Sequence, residues 1–497
     1  MGNTRRSFLR SAPFALSALA SAAAGAAPPS PYGVLPSRRQ LEHSEKEFYT
    51  FLHFTVNTFT DREWGLGDED PAIFNPTAFD ADSLAATLKS AGSTGVILTC
   101  KHHDGFCLWP TNTTEHSIRH SPYKNGRGDI VREISEAARR HGLAFGVYLS
   151  PWDRNNASYS MPRYIQIYRA QMRELLTNYG PIFEIWHDGA NGGDGYYGGA
   201  RQKRVIDRLR YYDWPRTWAM ERTLQPGAVL FSDVGPDIRW VGNEKGIAGD
   251  PCWATLTPRS PDGGPGAAPG NIRETDLPGG TRNGQFWMPA ECDVSIRPGW
   301  FWHENENSKV KTPRQLLDLY YESVGRGASF LLNVPPDRRG LIHESDAASL
   351  RSFGAALRST FAANLAAHAT AQASNIRGGD PAFGPQNLLD GNRATYWCTD
   401  DAITKPEVTF RLPAPASFDL VRLRENTQLG QRIEAFQLDV WQNGAWSSFG
   451  SGSSIGSCRI VRSKTRVRTD RVRLRITASP VCPALSEFAL FSETASG

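Results

Sequence analysis

A chain of 497 residues is long enough for about three average domains, or for one barrel with a smaller module. Its apolar and charged fractions are those of an ordinary globular protein. A net charge of +4, with acids and bases interspersed, argues against nucleic acid as the partner. At the N-terminus, Arg5, Arg6, Phe8 and Leu9 precede an apolar, alanine-rich run, and Ala24-Gly25-Ala26 supplies a small-residue cleavage site. Residues 1–27 therefore read as a secretory signal of twin-arginine type, and the mature protein is expected in the periplasm or outside the cell. The apolar run is shorter than the roughly 20 residues of a spanning helix, so no membrane association is expected. The cysteines, Cys100, Cys107, Cys252, Cys292, Cys398, Cys458 and Cys482, are odd in number and lack CxxC spacing, which speaks against a structural zinc. Cys458 and Cys482 are the pair an oxidising compartment could join.

After a proline-rich linker, residues 48–54 read as a first strand. Three similar units follow. Residues 82–88 form a helix capped by Asp82 and stopped at Gly92, before a strand at 96–100. Residues 129–141 form a helix stopped at Gly142, before a strand at 145–149. Residues 164–179 form a helix stopped at Gly180, before a short apolar strand that ends at Asp188. Cap, helix, glycine stop and buried strand in repetition predict a βα series with a parallel sheet. The strand ends carry polar residues, which a (β/α)8-type, TIM-like barrel would gather at one mouth; we assign it residues 28–365. Segments 229–232 and 239–242 look like later strands. A helix at 313–324 leads to residues 330–334, the last strand or the last but one. The Gly/Pro-rich loops at 192–199 and 261–280 are expected to be exposed. From residue 366 to 497 short alternating strands, such as 407–412, 436–441 and 471–476, predict an all-β sandwich of jelly-roll type.

The carboxyl end of a buried parallel strand is where α/β folds hold their chemistry, which singles out Asp188. Glycoside cleavage needs a second carboxyl group across the same bond. Glu244, in a glycine-flanked loop after a strand, fits that need, and Glu291 is its rival; spacing alone leaves the choice open. His102-His103-Asp104 admits three readings. As a metal site it is awkward, because neighbouring residues on a strand point to opposite sides and no HExxH is present. A structural histidine and a ligand for sugar hydroxyls are the other two.

Several stretches together resemble the α-L-fucosidases of glycoside hydrolase family 29: His53-Phe54, Glu63-Trp64, Lys101-His102-His103-Asp104-Gly105-Phe106, Tyr148 and Trp186-His187-Asp188-Gly189. The runs from Trp240 to Pro251 and from Ala290 to Trp300 resemble the narrower subfamily acting on α-1,3- and α-1,4-linked fucose in branched, Lewis-type glycans. The resemblance implies a retaining exo-hydrolase with Asp188 as nucleophile and Glu244 as acid/base. It implies fucose contacts at His53, Glu63, Trp64, His102, His103 and Tyr148, with Glu291 and Trp300 lining the pocket or the branch site. It implies a fucosylated oligosaccharide as substrate and no cofactor for catalysis. The stretch from Asn387 to Trp397 resembles the opening of a discoidin-like (factor 5/8 type C) module, where Asp390, Asn392, Thr395 and Glu487 would occupy the places of a structural Ca2+; a self-satisfied Asp-Gly turn is the alternative. Competing functional readings are a catalytically weak glycan-binding protein, a metal-dependent hydrolase and a fucosidase of broader linkage range.

Overall fold

The computed structural model describes residues 25–494. The expected signal segment lies outside them except for its last residues. Eight parallel strands close a barrel in chain order: Phe48–Leu52, Gly95–Lys101, Ala144–Leu149, Glu184–Trp186, Val229–Ser232, Ile238–Trp240, Ala290–Ser295 and Ser329–Asn333. The first pairs with both the second and the eighth, so the wall has no free edge. The seventh strand went unread in the sequence, because Glu291, Cys292 and Asp293 interrupt any apolar run.

The expected helices are present at Ala81–Ser90, Ile130–Arg140, Pro162–Asn178 and Pro313–Glu322. The first is capped by Asp80 and not by Asp82: the Asp80 carboxylate accepts from the amides of Asp82 and Ser83 at 3.0 and 3.1 Å. Gly92 and Gly142 end their helices with φ of 91° and 65°, which only glycine adopts without strain. A helix at Trp214–Leu224 was not anticipated, and the short turn from the fifth to the sixth strand carries no helix. None of the helices is long and apolar enough to cross a membrane, among the described residues.

Side chains alternate along each strand, so every second residue enters the barrel. On the fourth strand the inward series is Glu184, Trp186 and, just past its end, Asp188. The interior is therefore layered. Tyr49, Glu184 and Glu291 form a polar layer near the bottom. Phe51, Trp186, Phe231 and Leu331 form an apolar layer above it. His53, Asp188, Asp293 and Asn333 come up at the mouth.

Beyond helix Glu344–Phe361, seven antiparallel strands enclose a second core that includes Trp397, Phe410, Leu438 and Phe488. Its two long strands, Glu407–Glu425 and Arg459–Ala478, pair with each other and shift register between Arg411 and Ala416. The module is seated on the barrel by Arg424–Glu47 at 2.7 Å, Arg459–Asp250 at 2.7 Å and Arg462–Asp318 at 2.8 Å.

Two expectations for this half are corrected. All seven cysteines are free and buried. Cys458 packs into the barrel's core cluster, whereas Cys482 lies outside that cluster against Arg432, whose Nη2 is 3.2 Å from its Sγ. The calcium set does not assemble either. Asp390 accepts from Asn392 N and Thr395 Oγ1 at 2.8 and 2.6 Å, a self-satisfied turn. The two carboxylate oxygens of Glu487 are taken by Arg422 and Arg424 at 2.7 and 2.8 Å. A carboxylate already neutralised by two guanidinium groups is a poor calcium ligand.

Arg297 and Asp346 form a fully buried ion pair at 2.7 Å, and Arg297 also donates to the carbonyl of His303 in the loop over the barrel mouth. Asp346→Ala strands that guanidinium, and denaturant titration should show a loss of about 3–5 kcal/mol in stability.

Candidate active site

The mouth of the barrel holds a cavity of about 750 Å3. Its lining brings together His53, Trp64, His102, His103, Trp186, Asp188, Glu244 and Trp300 from six separate segments. Asp188 is anchored at both oxygens: Oδ1 accepts the Ala190 amide at 2.6 Å and Oδ2 accepts the Tyr148 hydroxyl at 3.0 Å. His103 Nε2 lies 3.7 Å from Oδ2. Glu244 reaches the same cavity from the loop after the sixth strand, where Trp300 Nε1 donates to its Oε2 at 3.3 Å. Partial burial raises the Glu244 pKa, the Trp300 hydrogen bond opposes that, and the charges of Asp188 and Glu63 raise it further.

The three histidines are neutral polar groups. Burial pushes His53 down to about 3, with its Nδ1 held by Asn333 Oδ1 at 2.9 Å. Burial and two neighbouring rings drive His102 well below its ordinary value. His103 is lowered by burial, with the Asp188 charge pulling the other way, and its Nδ1 meets Ser150 Oγ at 2.7 Å. Uncharged imidazoles that each keep a ring edge toward a cavity suit hydroxyl groups. His102 and His103 do not point to opposite sides. The strand stops at Lys101, so both rings turn into the cavity with centroids 4.1 Å apart. Trp64 stands half exposed at the rim, edge-on to His103 and Trp152.

The Alpha-L-fucosidase family matches residues 37–360, and the F5/8 type C domain matches residues 368–488. Alpha-L-fucosidase 1 of Arabidopsis thaliana is 41% identical over 94% of this chain and 90% of its own length. This chain belongs to the α-L-fucosidase family. It is a glycoside hydrolase acting on fucosylated substrates. Among solved structures, a putative α-L-fucosidase from Bacteroides thetaiotaomicron superposes with a TM-score of 0.84 at 38% identity, over 95% of this chain and 100% of that one. A Ruminococcus gnavus GH29 fucosidase in complex with fucose gives 0.83 at 32%, over 95% and 98%.

Within the fucosidase, three expected site residues lie outside the cavity lining: Tyr148, which is fully buried and bonded to Asp188, Glu291 and Glu63. Glu291 does not line the cavity. It is fully buried one layer below, where Trp186 Nε1 donates to its Oε1 at 2.7 Å. The acid that the seventh strand sends into the cavity is Asp293, two residues on, which accepts from Trp240 Nε1 at 2.7 Å. Glu63 is also outside the lining. Its carboxylate accepts the amides of Trp300 and Phe301 at 2.8 and 3.2 Å and meets His303 Nε2 at 2.6 Å, so it clamps the loop that carries Trp300.

Several cavity residues were missed in the sequence. Asp233 follows the fifth strand, accepts the Gly270 amide at 2.8 Å, and is pushed by burial to about 7. The stretch from Gly270 to Thr275 supplies one wall, although its composition suggested an exposed loop. The alternation Glu291–Asp293 was the one available signal, and it required recognising 290–295 as a strand.

Glu63→Ala should release the Trp300 loop. Losing charge-assisted bonds worth about 1.5–3 kcal/mol should speed amide exchange at Trp300 and Phe301 by roughly 10- to 100-fold, read by hydrogen–deuterium exchange.

Proposed function

We propose that the fucosidase is a retaining exo-enzyme that removes α-1,3- and α-1,4-linked L-fucose from branched, Lewis-type glycans by double displacement. The observation that carries this reading is the meeting of Asp188 and Glu244 at one cavity, with both oxygens of Asp188 oriented and the Glu244 carboxyl raised by burial and by Asp188 itself. In the first step the Asp188 carboxylate attacks the anomeric carbon. The bond to the leaving oxygen breaks, and Glu244 gives that oxygen its proton. In the second step Glu244 takes a proton from water, the water oxygen bonds to the anomeric carbon, and Asp188 leaves. Such a pair works at a separation of about 5–5.5 Å in the closed site. Tyr148 orients the nucleophile. His53, His102 and His103 meet the sugar hydroxyls, and Trp64 and Trp300 offer flat apolar walls for the C6 methyl. The resemblance to the family implies no cofactor for the chemistry.

Support for the linkage comes from the two runs that resemble the narrower subfamily. Trp240 and Glu244 from one, and Asp293 and Trp300 from the other, line the same cavity. We also infer export of the protein, on the paired arginines, apolar run and small-residue site of its N-terminus.

Two experiments test the reading. Asp188→Asn should abolish turnover of a Lewis-type trisaccharide, and azide should rescue Asp188→Gly through an inverted glycosyl azide. Wild-type kcat in Asp188→Asn, or preference for 2'-fucosyllactose over the trisaccharide, would overturn the nucleophile or the linkage respectively. Trp300→Phe removes the hydrogen bond that holds the Glu244 pKa down. The alkaline limb of kcat/KM, where the acid loses its proton, should then move to higher pH.

A further inference from the structure

Beneath the cavity lies a sealed polar cluster that hydrolysis as read above leaves unused. Tyr49 of the first strand, Glu184 of the fourth and Glu291 of the seventh meet inside the barrel, and His43 of helix Arg38–Ser44 closes the cluster from below. None of the four is more than 2% exposed. The ligating atoms of His43, Glu184 and Glu291 lie within 4.8 Å of one another. His43 Nε2 is 2.9 Å from Glu184 Oε2 and 3.0 Å from the Tyr49 hydroxyl, which donates to Glu291 Oε2. Trp186 Nε1 donates to Glu291 Oε1. Glu184 Oε1 faces no N–H or O–H donor.

Two ionised carboxylates at this range, without water, repel each other strongly. The surrounding charges do not cancel them. Lys46 is half-buried at the barrel's edge with Glu42 and Glu45 beside it, and Asp237 adds a further negative charge that Arg222 and Arg39 already neutralise. His43 is held neutral by burial, which takes it down to about 4. One proton between the carboxyls resolves the conflict. It makes a hydrogen bond between Glu184 and Glu291 and leaves a single negative charge, spread over the pair and stabilised by Tyr49 and Trp186. Burial raises both carboxyls above their ordinary range, so the pair holds a proton where two exposed glutamates would lose it.

The consequence reaches the active site through Trp186, whose indole is the cavity floor. It stacks on Phe231 at 4.2 Å, meets Phe51 edge-on at 5.1 Å and lies against Tyr148 at 5.3 Å. Tyr148 in turn orients Asp188. We propose that Glu291 is a positioning residue of the fucosidase: by sharing one proton with Glu184 and accepting from Trp186 Nε1, it fixes the floor under the sugar and the Tyr148–Asp188 pair beside it. This rests on reading the cavity as the fucose site.

The sign of the pH effect follows from the proton count. The folded chain keeps a proton that the unfolded chain releases from the ordinary 4.5 upward, until about 8. The stabilisation from this pair is therefore full below the ordinary carboxyl range and falls as pH rises toward 8.

The test uses the full chain. Glu291→Leu removes the acceptor of the Trp186 indole, and the inhibition constant of free L-fucose should rise by about tenfold or more, the equivalent of one hydrogen bond to a charged group. Glu291→Gln, which keeps an acceptor oxygen, should restore most of it. Glu184→Gln supplies a permanent N–H in place of the shared proton, and should flatten the fall of Tm expected for the wild type between pH 5 and 8. A folded Glu291→Leu with wild-type fucose affinity overturns the proposal. So does an unchanged pH slope of Tm in Glu184→Gln, which decides the matter if Glu291→Leu does not fold. A stoichiometric metal in the purified protein that Glu184→Gln loses would also overturn it. Failure of the wild type to release fucose would instead overturn the reading of the cavity.

Discussion

The site depends on how the fourth barrel strand is held from both of its faces. It is only three residues long, Glu184–Trp186, yet it carries Asp188 just past its end. Inward, Trp186 is locked between Phe51 and Phe231 and hydrogen-bonded from below by Glu291. Outward, His187 is gripped by two helices: Tyr168 OH meets its Nδ1 at 2.9 Å and Glu221 its Nε2 at 3.0 Å. A strand so short has few ladder bonds of its own. Its position, and that of Asp188, is set by these side-chain anchors, all of them removed from water.

Around Asp188 the protein withholds other charges. The three histidines are kept neutral by burial, and burial also pushes Asp233, Asp293 and Glu244 upward. Asp188 alone has donors at both oxygens from an amide and a phenol. One carboxylate fixed at both oxygens, among carboxyls that burial raises, is the asymmetry that the proposed double displacement would use. The same layering that places these acids at the mouth places Glu184 and Glu291 one step below, where they can only act through neighbours.

The C-terminal module contributes differently. It meets the barrel through ion pairs at Glu47, Asp250 and Asp318 and through apolar packing of Leu420, Cys458, Ile460 and Phe491, and none of its described residues enters the cavity lining. Glu487 illustrates how context overrides a motif. The residue occupies the place of a ligand in the discoidin-like pattern, yet Arg422 and Arg424 stand on the adjoining strand and take both its oxygens.

Sequence alone determined the elements with strong periodicity and clear stops: the early βα units, the barrel class, the alternating strands of the tail. It also placed Asp188, the paired histidines and Glu244 at strand ends or in the loop after one, because chemistry there follows an apolar run that terminates abruptly. Only the tertiary structure decided that Asp293, and not Glu291, reaches the cavity, that Glu63 serves the Trp300 loop, and that residues 270–275 form a wall. The physical reason is that alternation along a strand says which residues face inward but not how high each stands in the barrel. That height comes from the stagger between neighbouring strands, a long-range quantity that no local pattern records.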